Sequence, residues 1–209
     1  MTSSDEAPTQ ALSQLAQNIA SVIPSVDAET EGKYGSGLGS ESEERQIKLI
    51  LDELQSTGSY LDAEREVSYP SRSAKCDLLL EGRIPVEAKL LRYWRANGDP
   101  EPNWYKHIFS PFNSNTLLTD ARRLHDSEFE KPGGLLGLFY KRASDDPTSV
   151  EEFPEKFEAS ELAEKVVEDI EYWYGVDAEV CEIAPFSGLR HEVHQQGAVI
   201  TWIVEDTLQ

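Results

Sequence analysis

The chain has 209 residues, of which 39% are hydrophobic, 28% charged and 9% aromatic, the composition of one ordinary globular domain rather than of a disordered chain. No apolar stretch nears the roughly 18 to 20 residues that a bilayer span needs, and residues 1–8 are polar and acidic rather than basic and then apolar, so neither a membrane protein nor a secreted one is expected. The net charge of −20 argues against nonspecific adhesion to phosphate polymers.

That charge is unevenly spread: residues 1–60 carry −7, residues 61–142 carry +1 and residues 143–209 carry −14. The middle of the chain is thus the segment able to meet an anionic ligand. Cys76 and Cys181 each sit in an apolar segment and read as buried thiols of a reducing compartment, which places the chain in the cytoplasm.

In chain order, residues 1–10 read as a polar leader without fixed structure. Leu12, Leu15, Ala16, Ile19, Val22 and Ile23 recur at helical spacing, with Pro24 as the expected stop. Residues 32–40 are rich in Gly and Ser and read as a flexible connector. They fail as a phosphate loop, because no strand precedes them and Ser40 stands where the last glycine belongs. Ile47, Ile50, Leu51 and Leu54 mark one face of a helix from Glu41 to near Gly58.

Three strands follow, at 61–69, 76–80 and 84–91, the last two joined by a tight turn at Glu81-Gly82-Arg83. Residues 92–112 form a long loop, and Asn113 or Ser114 is expected to cap a helix carrying Leu117, Leu118, Ala121 and Leu124. Residues 133–140 read as a strand buried on both faces, 145–154 as an acidic connector, 158–173 as a helix closed by Gly175, and 176–184 and 198–204 as two last strands.

The expected class is α/β: a mixed β-sheet flanked by helices, in the core order α-β-β-β-α-β with a C-terminal α-β-β extension. Residues 1–40 are set apart as an N-terminal helix and linker. Residues 41–209 form one domain, with its core at 41–142 and an acidic extension at 143–209.

Chemistry concentrates where two strands adjoin. Asp77 opens one, and Glu87 and Lys89 lie two apart on the next, so their side chains leave the same face. Val86, Ala88 and Leu90 make the other face apolar. Charges directed into structure are costly unless paired or bound to a metal. Two carboxylates converging from neighbouring strands, with a lysine one pleat away, suit a hard divalent cation and phosphodiester hydrolysis. The plainer reading of Glu87 and Lys89 is an ion pair on a half-exposed sheet.

The Asp77, Glu87-Ala88-Lys89 arrangement resembles the PD-(D/E)xK superfamily of restriction-endonuclease-like phosphodiesterases, over residues 41–142. The resemblance implies that Asp77 and Glu87 bind Mg²⁺ (or Mn²⁺) and that Lys89 assists catalysis. It also implies that an acid on the preceding helix completes the metal site, here Glu44 with Glu43 as competitor. Cys76 replaces the proline usual before the aspartate. The implied activity is metal-dependent endonuclease cleavage of nucleic acid, DNA ahead of RNA, in defence or repair.

The segment after the third strand mixes cations with aromatics. Arg92, Arg95 and Lys106 are candidate phosphate contacts beside Trp94 and Trp104, which either stack on bases or pin the loop. Arg122 and Arg123, on the following helix, are further candidate nucleic-acid contacts. The histidines of His191-Glu-Val-His194 have the wrong spacing for the zinc-protease helix, and on a strand they would face opposite sides. The rival to an enzyme is a catalytically inactive, nuclease-like regulatory subunit whose acidic C-terminal third binds a basic protein. A homodimer is also open.

Overall fold

The computed structural model describes residues 6–32, 35–58, 62–70, 73–129, 132–142 and 157–205. The expected connector at 145–154 lies outside the described residues. The helices are α1 (Glu6–Glu29), α2 (Glu43–Ser56), α3 (Trp104–Phe109), α4 (Leu117–His125) and α5 (Ala159–Tyr174). Two short strands, β1 (Glu31–Gly32) and β2 (Gly35–Ser36), pair only with each other. The main strands are β3 (Ala63–Ser68), β4 (Lys75–Leu80), β5 (Ile84–Arg92), β6 (Gly133–Lys141), β7 (Ala178–Ser187) and β8 (Gln196–Val204), forming one six-stranded sheet in the order β3-β4-β5-β6-β8-β7.

Neighbours in this sheet are antiparallel except β5 and β6, which run parallel. A parallel pair needs a crossover, and residues 93–132 supply it through α3 and α4. The turn between β4 and β5 is sharp because Glu81 and Gly82 both take positive φ, 50° and 66°, as mirror-image hairpin turns require.

Alternation sorts the sheet's side chains into two cores. Val86, Ala88, Leu136, Leu138 and Tyr140 pack with α1 and α2, whereas Leu91, Leu135, Phe139 and Trp202 pack with α4 and α5. β6 is buried on both faces, as its unbroken apolar run predicts. Its glycines let helices approach: a Cβ on Gly134 would lie 2.5 Å from Leu12, and one on Gly133 3.0 Å from Leu124.

Several local expectations differ from the structure, among them the leader, whose residues from Glu6 on are already helical. First, α1 runs through Pro24 to Glu29. Losing one backbone donor is tolerated because Ile23, Val26 and Asp27 on either side are buried. Second, α1 is not set apart from the domain. Leu12, Leu15, Ala16 and Ile19 are fully buried in the main core, and Ser13 and Leu12 bond to Cys181 and Thr201 in β7 and β8. Third, α4 is capped by Thr116, whose hydroxyl accepts from the Thr119 N–H at 3.2 Å, rather than by Asn113 or Ser114.

The Gly/Ser segment is also not a free connector where it is described, since Gly37, Leu38 and Gly39 are buried. Asp27, only 1% exposed, holds it: its carboxylate accepts from the Leu38 N–H at 2.7 Å and the Arg190 N–H at 2.6 Å. Asp27→Ala leaves the buried Leu38 donor and the part-buried Arg190 donor unpaired, the first costing about 1–3 kcal/mol. Urea unfolding should therefore show a loss of at least about 1 kcal/mol, and a wild-type midpoint would refute this anchoring role.

Candidate active site

β4 and β5 pair only from Leu78–Val86 to Leu80–Ile84. Beyond Val86 the two strands part, so the next amides of β5 on that side need other acceptors. Two carboxylates serve. Asp77 Oδ2 accepts from the Ala88 N–H at 2.7 Å, and Glu43 Oε2 accepts from the Leu90 N–H at 2.6 Å. The parting of the strands therefore creates a cleft and lines it with acids.

Glu87 and Lys89 share the face of β5 that looks toward α4, as the pleat dictates. Lys89 Nζ lies 3.1 Å from Asp120 Oδ2 and 3.7 Å from Glu43 Oε1. Glu87 Oε1 accepts from the Tyr69 hydroxyl at 2.5 Å and from Arg123 Nη1 at 3.1 Å, while Arg123 Nη2 lies 3.1 Å from Asp120 Oδ1. The cluster thus holds four carboxylates, Glu43, Asp77, Glu87 and Asp120, against the two cations Lys89 and Arg123.

The structure brings Asp77, Glu87 and Lys89 to one place, with Glu43 rather than Glu44. Glu44 is exposed on the outer side of α2. Consecutive residues differ by about 100° around a helix, so only one of the pair can face β5. Asp120 and Tyr69 were not anticipated. Asp120 left a trace in the sequence, since it lies three residues after Leu117 and four before Leu124, on the apolar stripe itself. Tyr69, between the end of β3 and Pro70, left none.

Burial and mutual repulsion act on these acids in one direction. Glu87 is pushed up to about 7, by desolvation first and then by Asp77 and Asp120 against the opposing Tyr69 bond and Arg123. Glu43 and Asp120 are also raised, chiefly by burial. Burial alone would lower Lys89, but Asp120 and Glu43 more than offset it and raise the ammonium, so Lys89 stays cationic.

Because the folded protein keeps the Glu87 proton to higher pH than the unfolded chain does, ionising this group costs stability as pH rises from about 4.5 to about 7. Urea unfolding across that range should show Glu87→Gln, which cannot ionise, gaining on wild type as pH increases. A constant difference between the two would contradict the shift.

Beside the cluster lies an open groove of about 400 Å³ whose lining includes Glu43, Lys89, Arg92, Trp104, His107 and Asn115. Of the expected phosphate contacts, Arg92 borders this groove and is half-buried, and Lys106 is exposed on α3. Arg95 pairs with Glu101 at 3.2 Å. Arg122 turns away from the cluster, 5.6 Å over the Tyr174 ring and 3.4 Å from Asp126. Trp94 and Trp104 are buried and pin the loop, Trp104 edge-on to Tyr93 at 4.7 Å, and so are not presented for stacking.

His191 and His194 lie between β7 and β8 rather than on a strand, and their rings stack at 4.8 Å. The His194 nitrogens face the carbonyls of Gly39 at 2.9 Å and Trp94 at 3.0 Å, a structural role. Cys76 and Cys181 are free thiols, both pushed up to about 12 chiefly by burial. No helix among the described residues is long and apolar enough to cross a membrane.

Among the described residues no three His, Cys, Asp or Glu side chains are gathered into a finished metal cage. The donor set nonetheless fits a hard cation: oxygen ligands only, two of them on adjacent strands, with more carboxylates than nearby cations to offset them. Compared with protein-family models, curated proteins and solved structures, the chain matches none of them. The class defined by the fold is a mixed α/β domain with a six-stranded mixed sheet flanked by helices.

Proposed function

We propose that this chain is a metal-dependent nuclease of the restriction-endonuclease-like, PD-(D/E)xK type, hydrolysing phosphodiester bonds of nucleic acid, DNA ahead of RNA. The observation that carries this reading is the meeting of Asp77, Glu87 and Lys89 where β4 and β5 part, beside an open groove.

Asp77 and Glu87 would hold Mg²⁺ or Mn²⁺, with Glu43 at the edge of the site. The cation would polarise a phosphoryl oxygen and acidify a bound water. Lys89, kept cationic by Asp120 and Glu43, orients the attacking water and offsets charge on the phosphoryl group rather than taking the proton. The water oxygen bonds to phosphorus as the bond to the leaving sugar oxygen breaks, the water's proton passing to solvent and the leaving oxygen taking a proton back from solvent. Arg92, on the groove wall, is placed to hold a flanking phosphate.

The test is incubation of the purified chain with plasmid and single-stranded DNA, with and without Mg²⁺ or Mn²⁺, alongside calorimetric titration of the metal. Metal-dependent cleavage supports the reading. Absence of both cleavage and metal uptake overturns it in favour of the binding-subunit alternative. One observation favours that alternative: Glu161, Glu164, Glu168 and Glu171 stand exposed along α5, a face complementary to a basic protein.

A further inference from the structure

We propose that Arg123 is a displaceable counter-ion: it holds Glu87 while no metal is present, and releases it to bind a substrate phosphate once a divalent cation takes its place. The inference rests on the nuclease reading above and concerns how that site is kept ready.

Arg123 bridges two acids with separate nitrogens, Nη1 to Glu87 Oε1 and Nη2 to Asp120 Oδ1, each at 3.1 Å. The two acids differ in freedom. Asp120 is 1% exposed, sits one turn into the capped start of α4, and is held a second time by Lys89 at 3.1 Å. Glu87 is held through Oε1 alone among the described residues, by Tyr69 and Arg123. The Arg123 side chain itself is 24% exposed, so its end reaches the rim of the cleft.

A guanidinium and a divalent cation carry like charge and seek the same carboxylate, so binding of one at Glu87 weakens the other. Arg123 therefore stabilises the metal-free cluster, where four carboxylates would otherwise face one ammonium. Its release costs Asp120 little, because Lys89 remains. A freed guanidinium matches a phosphate with the same forked geometry it used on the carboxylates. Arg123 would thus be a positioning residue before the metal arrives and a phosphate ligand afterwards. Arg122, its neighbour, is directed away and cannot substitute.

The two roles predict opposite effects of one substitution. In calorimetric titrations without nucleic acid, Arg123→Gln should bind Mn²⁺ roughly threefold or more tightly than wild type, the scale of one partly exposed charge pair. Arg123→Lys, which keeps the charge, should stay near wild type. Lys48→Gln, which removes an exposed cation elsewhere on α2, should change nothing. With Mn²⁺ present, Arg123→Gln should bind a fluorescent DNA duplex more weakly by anisotropy.

Tighter metal binding with weaker DNA binding supports the exchange, and misfolding cannot imitate it, because misfolding weakens both. Unchanged or weaker Mn²⁺ binding by Arg123→Gln, when wild type binds the ion, overturns the role of Arg123 and leaves the nuclease reading standing. If wild type takes up no Mn²⁺ or Mg²⁺, the nuclease reading falls and this inference falls with it.

Discussion

Lys89→Ala is expected to lower metal-dependent cleavage by about 10²- to 10⁴-fold, the range lost when a positioned catalytic group is removed, while the protein remains folded. The fold survives because Asp120 keeps Arg123 at 3.1 Å and Glu43 keeps the Leu90 amide at 2.6 Å, so neither acid is left unpartnered. Asp77→Asn should be as inactive for another reason: the amide still offers an oxygen to the Ala88 N–H, but its charge toward a cation is gone. Cleavage rates and urea unfolding measured on the same preparations separate the outcomes. An unfolded Lys89→Ala protein would mark Lys89 as one half of a structural ion pair.

The largest stability effect is expected at Gly197. This residue pairs with Tyr140 on one side and Phe186 on the other, in the strand between β6 and β7. A Cβ there would lie 1.8 Å from the Phe139 carbonyl oxygen and 2.7 Å from the Phe186 ring. The ring could turn, but the carbonyl belongs to a strand buried on both faces and cannot yield. Gly197→Ala should cost about 3 kcal/mol or more, the upper end of overpacking in a close-packed interior. A urea midpoint near that of wild type would show that β6 and β8 are not in this register.

How much of this could be read from residues alone varies with the range of the cause. β4, β5 and β6 were readable because period-two alternation and an unbroken apolar run are local signals. The face shared by Glu87 and Lys89 followed from the same alternation. The end of α1 is not legible, because Pro24 is a local stop, whereas the burial of Asp27 that carries the helix onward depends on the Leu38 amide and on that of Arg190, 163 positions along the chain. The choice between Glu43 and Glu44 needed the position of β5. Asp120 could have been suspected as an acid on an apolar stripe, yet only the packing of α4 against β5 gives it Lys89 as a partner.

The seating of α1 on the last two strands also bears on the order in which the chain can mature. This helix leaves the ribosome well before the surfaces that cover Leu12, Leu15 and Ile19, which include β7 and β8. The bond from Thr201 to the Leu12 carbonyl spans 189 positions. Until those strands emerge an apolar stripe therefore waits uncovered, and closures of such long loops come late and slowly. Nascent chains stalled before residue 178 should be clients for holding chaperones, while the finished protein should not.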